Sequence, residues 1–196
     1  NLKTIEKAEK VDSIIISAKK SEFKLINKII KENKFKKIIK IIDSSTSRQS
    51  STYKVLTWIK KEKLNAKFIG VHNAVNPFVT KNEINTVFKE AEKYGAALLA
   101  YPARDTVKIS DKKGVVSYTP VREKSWYAQT PQVGRFEDMF KAFTKASKQK
   151  FIGTDDTQLL ENIGVMAKIV PCSYQNLKIT FPEDLIIAKT FKKLVS

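Results

Sequence analysis

The feature that most constrains this chain is an alternation of period. Short runs rich in β-branched or small apolar residues occur at 13–17 (SIIIS), 37–42 (KIIKII), 67–71 (KFIGV), 96–100 (AALLA) and 167–170 (AKIV). Their length and content are those of buried strands. Between them the apolar residues change to helical spacing. Leu25, Ile26, Ile29 and Ile30 share one face, as do Ile84, Val87, Phe88 and Ala91. The second of these helices has a capping-box start, Thr80 answered by Glu83, and a stop at Gly95. A third begins after Arg135, with Phe136, Met139, Phe140 and Phe143 on one side, and a fourth spans 155–164. The last opens at Pro182, places Glu183 and Asp184 in its first turn, and carries Leu185, Ile186, Phe191 and Leu194. This order predicts an α/β fold: a three-layer, doubly wound, mostly parallel sheet with helices on both faces. At 196 residues, a single domain over 1–196 is expected.

Residues 101–133 interrupt the alternation. They contain KISDKKGVVSYT, two β-like pieces around a turn rich in Lys, Asp and Gly, and are punctuated by Pro102, Pro120 and Pro131. The expectation is a β-arm projecting from the sheet.

Thirty-seven Lys+Arg against 20 Asp+Glu give a formal charge of +17, a field that attracts phosphorylated partners. Only four of those cations are arginines, Arg48, Arg104, Arg122 and Arg135. The lysines lie along helices such as 26–37 and near 191–193 and read as solvated faces. No cluster interleaves them with aromatics as a base-stacking platform would, so nucleic acid is not the expected partner. The arginines fall in loops or at loop edges, where a planar fork can grip phosphate. The lone Cys172 rules out an internal disulfide within the chain and reads as a core-edge residue of a cytoplasmic protein. No apolar run approaches the roughly 18 residues of a membrane span, and none is expected.

In an open parallel sheet, ligands bind beyond the carboxyl ends of the strands. The segments there are DSSTSRQSS (43–51), HNAVNP (72–77), YPARDTVK (101–108) and SYQNLKIT (173–180), with TPVREKSWYAQTPQ (119–132) and TDD (154–156) nearby. Hydroxyls, amides, Arg48, Arg104, Lys108 and Lys178 therefore gather at one edge, a composition suited to phosphates. Each segment also has a plain structural reading. Ser44–Ser51 can cap a helix, His72 can be a satisfied loop histidine, and Asp155-Asp156 suit a helix start. Trp126 and Tyr127 can anchor the arm by packing. Serine-triad, Walker, dinucleotide and zinc patterns are absent from the sequence.

In order, VHNAVNPFV, ARDTVK, VREKSWYAQTPQ, TDDTQLLENIG and NLKITFPEDLIIA resemble the cytidylyltransferases that act on 2-C-methyl-D-erythritol 4-phosphate in isoprenoid precursor synthesis. The likeness covers nearly the whole chain. It implies a nucleotide-diphospho-sugar transferase-like fold and transfer of a cytidylyl group from CTP, releasing pyrophosphate, with Mg²⁺ bridging triphosphate oxygens. By the same resemblance, Arg122 and Lys178 are the catalytic cations. Thr106, Thr130, Thr154 and Asn76 fall at substrate-binding positions, and Arg48, Ser51 and Asn73 near the nucleotide. No residue of the chain is expected as a dedicated metal ligand. The resemblance further implies a homodimer in which the arm carries Thr106 and Arg122 to the partner's pocket.

Lys108 and Trp126 resemble the methylerythritol branch more than the related ribitol 5-phosphate cytidylyltransferases, which stay open as an alternative. The chain also departs from the family pattern. Ser44-Ser45 stand where a glycine pair is usual, and His-Asp-x-x-Arg-Pro becomes His72-Asn73-x-x-Asn76-Pro77. The family's Gly-rich loop, with its arginine and Pro-Lys pair, has no counterpart in these residues. A protein that keeps the fold as a binding scaffold without the activity is therefore a further alternative.

Overall fold

The computed structural model describes residues 1–195, with side chains through Phe191. Leu194, expected on the apolar side of the last helix, and the lysines at 192–193 have side chains outside the described ones.

The elements run α1 (Leu2–Lys7), β1 (Ile14–Ala18), α2 (Phe23–Asn33), β2 (Ile38–Asp43), α3 (Arg48–Lys61), β3 (Phe68–Val71), α4 (Lys81–Tyr94), β4 (Ala96–Pro102), β5 (Ile109–Ser110), β6 (Val116–Tyr118), β7 (Trp126–Arg135), α5 (Phe136–Gln149), α6 (Asp156–Glu161), β8 (Lys168–Pro171) and α7 (Asp184–Val195). All five β-branched or apolar runs are strands, and the alternation with helices is that of an α/β fold. Six-residue α1 has too short a pattern to announce itself in sequence.

The strands β3-β7-β4-β8 form one sheet, and β1 pairs with β2 in a separate parallel ribbon. In the larger sheet β4 and β8 are parallel, whereas β7 runs antiparallel to both of its neighbours. The arm expected over 101–133 is therefore shorter. Ala103 N–H donates to Ser125 O at 2.9 Å and closes its root. Residues 126–133, expected in the arm, instead belong to β7 (Trp126–Arg135), in the middle of the sheet. Within the arm, β5 and β6 pair antiparallel, and every residue of both is exposed. The Asp111 carboxylate accepts from the backbone N–H of Lys113 and Val115, and Gly114 takes φ 82°, a left-handed turn that a side chain would resist.

Alternate residues of β4 point into two cores. Ala97 and Leu99 pack with Val133 and Val170 against Ile84, Val87 and Ala91 of α4. Ala96 packs on the opposite face among Leu56 and Ile59 of α3, Met139 and Phe143 of α5, and Leu159 and Leu160 of α6. These are the three layers. Each large side chain so buried contributes about 1.5–3 kcal/mol. Cys172 packs against the first core. Burial pushes its thiol up to about 12, with the Glu83 carboxylate adding to the effect, so it is unreactive.

Three helix starts follow their sequence signals, whereas the last helix, expected from Pro182, begins at Asp184. Thr80 and Glu83 form the expected capping box on α4, Ser47 and Ser50 form one on α3, and the Asp155 side chain caps α6 by accepting from Gln158 N–H.

One irregularity positions the site. Leu98 faces Gln132 across the β4–β7 ladder, but Ala100 faces Ala128, so β7 holds two residues more than β4 over that step. The resulting bulge turns Gln129 and Thr130 out of the regular alternation, as bulges beside binding sites do.

Candidate active site

A cavity of about 150 Å³ opens at this bulge. β7 supplies Ala128, Gln129, Thr130 and Gln132, the corner after β3 supplies Asn73 and Asn76, and α3 supplies Arg48. Thr154 and Asp155 precede α6, and Lys178 lies in the segment after β8. Separate strand-end segments thus meet at one rim, as the strand order requires.

Gln132 fastens two walls together. Its side-chain oxygen accepts from Asp156 N–H (2.9 Å) and Thr157 N–H (3.1 Å), while its amide nitrogen donates to Asp155 Oδ2 (3.0 Å). The first N–H groups of α6, which have no partners inside their helix, are satisfied by a strand residue. Close approach here also requires Gly153, where an added Cβ would lie 2.7 Å from Leu159 Cδ2.

Asn76 and Asn176 fasten the other walls, and both are buried. Asn76 Nδ2 donates to Gln129 Oε1 and to Asn176 O, each at 3.1 Å, and Asn176 Nδ2 donates to Thr130 O at 3.0 Å. Ile179 N–H donates to Val75 O at 2.8 Å, which holds the segment bearing Lys178 onto the β3 corner. The amide oxygens of Asn76 and Asn176 have no partner among the described residues.

His72 lies behind Thr130. Its Nδ1 is 2.9 Å from Thr130 Oγ1 and its Nε2 3.1 Å from Asn76 O, while Asn73 N–H donates to Thr130 Oγ1 at 3.2 Å. Burial drives the imidazole pKa down to about 4, against the opposing pull of its hydrogen bonds, so the ring is neutral. The satisfied-loop reading of His72 matches this geometry.

Two cations face the cavity. Lys178 is exposed and pairs with no carboxylate among the described residues. Arg48 forms an ion pair with Asp156, whose side chain is 1% exposed, while the arginine side chain is 38% exposed. Burial raises the Asp156 carboxyl pKa, and the Arg48 charge and hydrogen bond oppose that rise. Asp155 and Asp156 therefore differ: the first is a cap, the second a buried counter-charge.

Of the residues expected at the site, Arg48, Asn73, Asn76, Thr130, Thr154 and Lys178 line this cavity. Ser51, Thr106 and Arg122 do not. The Ser51 hydroxyl donates to Ser47 O (2.7 Å) and accepts from Ser45 N–H (2.9 Å), so it is spent on the turn into α3. Thr106 is exposed on the segment entering the arm, and Arg122 sits on a 3₁₀ turn of the arm, 3.6 Å from Glu123. Gln129, Gln132 and Asn176 received no individual role from sequence, and Asp156 was read only as part of a helix start. Three of them stand in the QTPQ and NLKIT stretches, but their partners are distant in the chain.

The family described as 2-C-methyl-D-erythritol 4-phosphate cytidylyltransferase (IspD) matches residues 1–193. A protein of that name from Desulforamulus reducens is 37% identical over 190 residues, 96% of this chain and 80% of its own length. Another, from Bacillus cereus, is 34% identical over 193 residues, 98% of this chain and 83% of its own. The solved structure of 4-diphosphocytidyl-2C-methyl-D-erythritol synthase from Anaerococcus prevotii superposes with a TM-score of 0.89 at 29% identity, covering 98% of this chain and 83% of that one. With the strand-end cavity and its motif residues already in place, the conclusion is direct: this chain belongs to the 2-C-methyl-D-erythritol 4-phosphate cytidylyltransferase family.

Proposed function

We propose that the protein transfers a cytidylyl group from CTP to 2-C-methyl-D-erythritol 4-phosphate. A phosphate oxygen of the acceptor attacks the α-phosphorus of CTP, the bond to the leaving pyrophosphate breaks, and CDP-methylerythritol forms. Such a displacement needs positioning and charge neutralisation and no covalent enzyme intermediate. The observation that carries the reading is the meeting of Lys178 and Arg48 with the amides and hydroxyls of Asn73, Asn76 and Thr154 around one cavity. In this reading Lys178 offsets charge developing on the α-phosphate. Arg48, oriented by Asp156, presents a pre-aimed guanidinium to the nucleotide.

Thr106 and Arg122 enter from a second copy of the chain. Their place on the arm supports this, together with the exposed apolar residues Val115 (63%), Val116 (54%) and Tyr118 (59%), a surface suited to burial in a homodimer. A cytosolic setting belongs to the same reading and is supported by the single Cys172. No described helix is long and apolar enough to cross a membrane.

Magnesium is tested by the donors at hand. The ion favours six oxygens and is usually held by one or two carboxylates plus substrate phosphates. Among the described residues Asp155 is the cavity's one carboxylate, and it already accepts from Gln158, Thr157 and Gln132. No group of three potential metal ligands occurs among the described residues. These residues fit a metal that arrives with the triphosphate, where it would neutralise oxygen charge.

A second reading, a binding protein without turnover, is favoured by the neutral Asn73 and Asn76 where the family pattern has Asp and Arg. Pyrophosphate release from CTP and Mg²⁺ with methylerythritol 4-phosphate or ribitol 5-phosphate separates the readings. We expect release with the first acceptor. Release with ribitol 5-phosphate alone would reassign the substrate, and silence with both, alongside measurable CTP binding, would favour the scaffold.

A further inference from the structure

We propose that His72 is a positioning residue that fixes the polarity of the Thr130 hydroxyl, so that this part of the cavity wall accepts a hydrogen bond and selects a substrate hydroxyl over a phosphate oxygen. The proposal rests on the reading of the cavity as a polyol phosphate site and specifies how one subsite discriminates.

The chain of donors can be followed atom by atom. Asn76 O is a backbone carbonyl and can only accept, so the His72 Nε2 lying 3.1 Å away carries the proton. In a neutral imidazole Nδ1 is then bare, and the Thr130 hydroxyl 2.9 Å away must donate to it. A hydroxyl has one proton and two lone pairs. The proton is now spent on His72, and one lone pair accepts the Asn73 N–H at 3.2 Å. What Thr130 has left for the cavity it lines is a lone pair. Phosphate oxygens, which bring lone pairs of their own, are repelled there, whereas a polyol hydroxyl brings the missing proton.

The alternative state is a doubly protonated ring, which would release the Thr130 proton toward an anion. Burial opposes it. Thr130 itself is 4% exposed, so water competes weakly for the remaining lone pair. The division of labour follows: Lys178 and Arg48 take the anionic oxygens, and the Thr130 side of the cavity takes a neutral hydroxyl.

His72 is the only histidine in the chain, so its imidazole ¹⁵N signals need no assignment. At pH 6.5, where an ordinary histidine is half protonated, we expect one neutral tautomer with the proton on Nε2. A protonated ring or a tautomer mixture at that pH overturns the proposal whether or not the protein turns over. The functional arm compares methylerythritol 4-phosphate with its single-deoxy analogues, as KM or, without turnover, as calorimetric affinity. Wild type should penalise one analogue by about tenfold, the worth of one hydrogen bond, with little change in kcat. Thr130→Val and His72→Phe should erase that discrimination. His72→Gln, which can both donate to Asn76 O and accept from Thr130, should retain it. Discrimination in His72→Phe equal to wild type overturns the proposal; if that variant does not fold, undiminished discrimination in Thr130→Val overturns it instead. Absence of pyrophosphate release, by contrast, counts against the proposed reaction and leaves the tautomer result standing.

Discussion

Replacing Arg48 by methionine should make the stability of this protein fall as pH rises. Asp156 is buried, Arg48 is its ion-pair partner, and its second oxygen has no partner among the described residues. Truncating one member of a buried pair costs about 3–5 kcal/mol, because a charge is left without compensation. Since Arg48 is 38% exposed, solvent already screens part of the pair, and the lower end, about 3 kcal/mol, is the expected loss at pH 8. For a chain of this size that is a fall of about 6–12 °C in Tm. The sign of the pH effect comes from the carboxyl. Burial already raises its pKa above 3.8 in the folded state, and losing Arg48 raises it further. A carboxyl that holds its proton more tightly when folded binds more protons in the native than in the unfolded state, so stability drops between the unfolded and folded pKa values. Urea unfolding of Arg48→Met at pH 5 and pH 8 should therefore show the larger penalty at pH 8. Arg48→Met combined with Asp156→Leu should recover most of the loss. An equal penalty at both pH values, with no recovery in the double variant, would refute the buried-charge argument.

Other outcomes test separate parts of the structure. His72, with its pKa lowered from 6.5 to about 4, should give stability that is complete above pH 6.5 and lost as pH falls toward 4, worth about 3 kcal/mol; His72→Gln should flatten that slope in a denaturation series. Lys178→Ala should lower kcat/KM for pyrophosphate release by about 10²–10³, with partial recovery in Lys178→Arg, if the ammonium meets transition-state charge. Phe143→Ala should cost about 3–5 kcal/mol, since the ring is fully buried beneath α3 and α6, and should leave KM nearly unchanged in the folded fraction.

What the sequence made legible tracks the chemistry of each element. β4 is legible as a short, wholly apolar run closed off by Gly95, because both of its faces are buried. β7 escapes because it carries Gln129, Thr130, Pro131 and Gln132 in the middle of a sheet, where polar residues and proline argue against a strand. The strand lines the cavity on one stretch and the core on the next, and its polar residues fall on the first. The rim was legible because the strand-end segments carry amides, hydroxyls or a cation. Its internal fastening was not. Gln132, Asn76 and Asn176 act on groups 23 to 100 positions away, and only the folded chain brings those together. Ser51 shows the converse, a residue of suitable type whose hydroxyl the helix turn consumes first.

The separation of the β1–β2 ribbon from the larger sheet has a dynamic consequence. Among the described residues no ladder joins β1 to β3, and the adjoining α2 buries none of its residues completely. Amide protons at 38–42 should therefore exchange with solvent before those of Ala96–Tyr101, whose strand is paired on both sides and whose first five residues are buried.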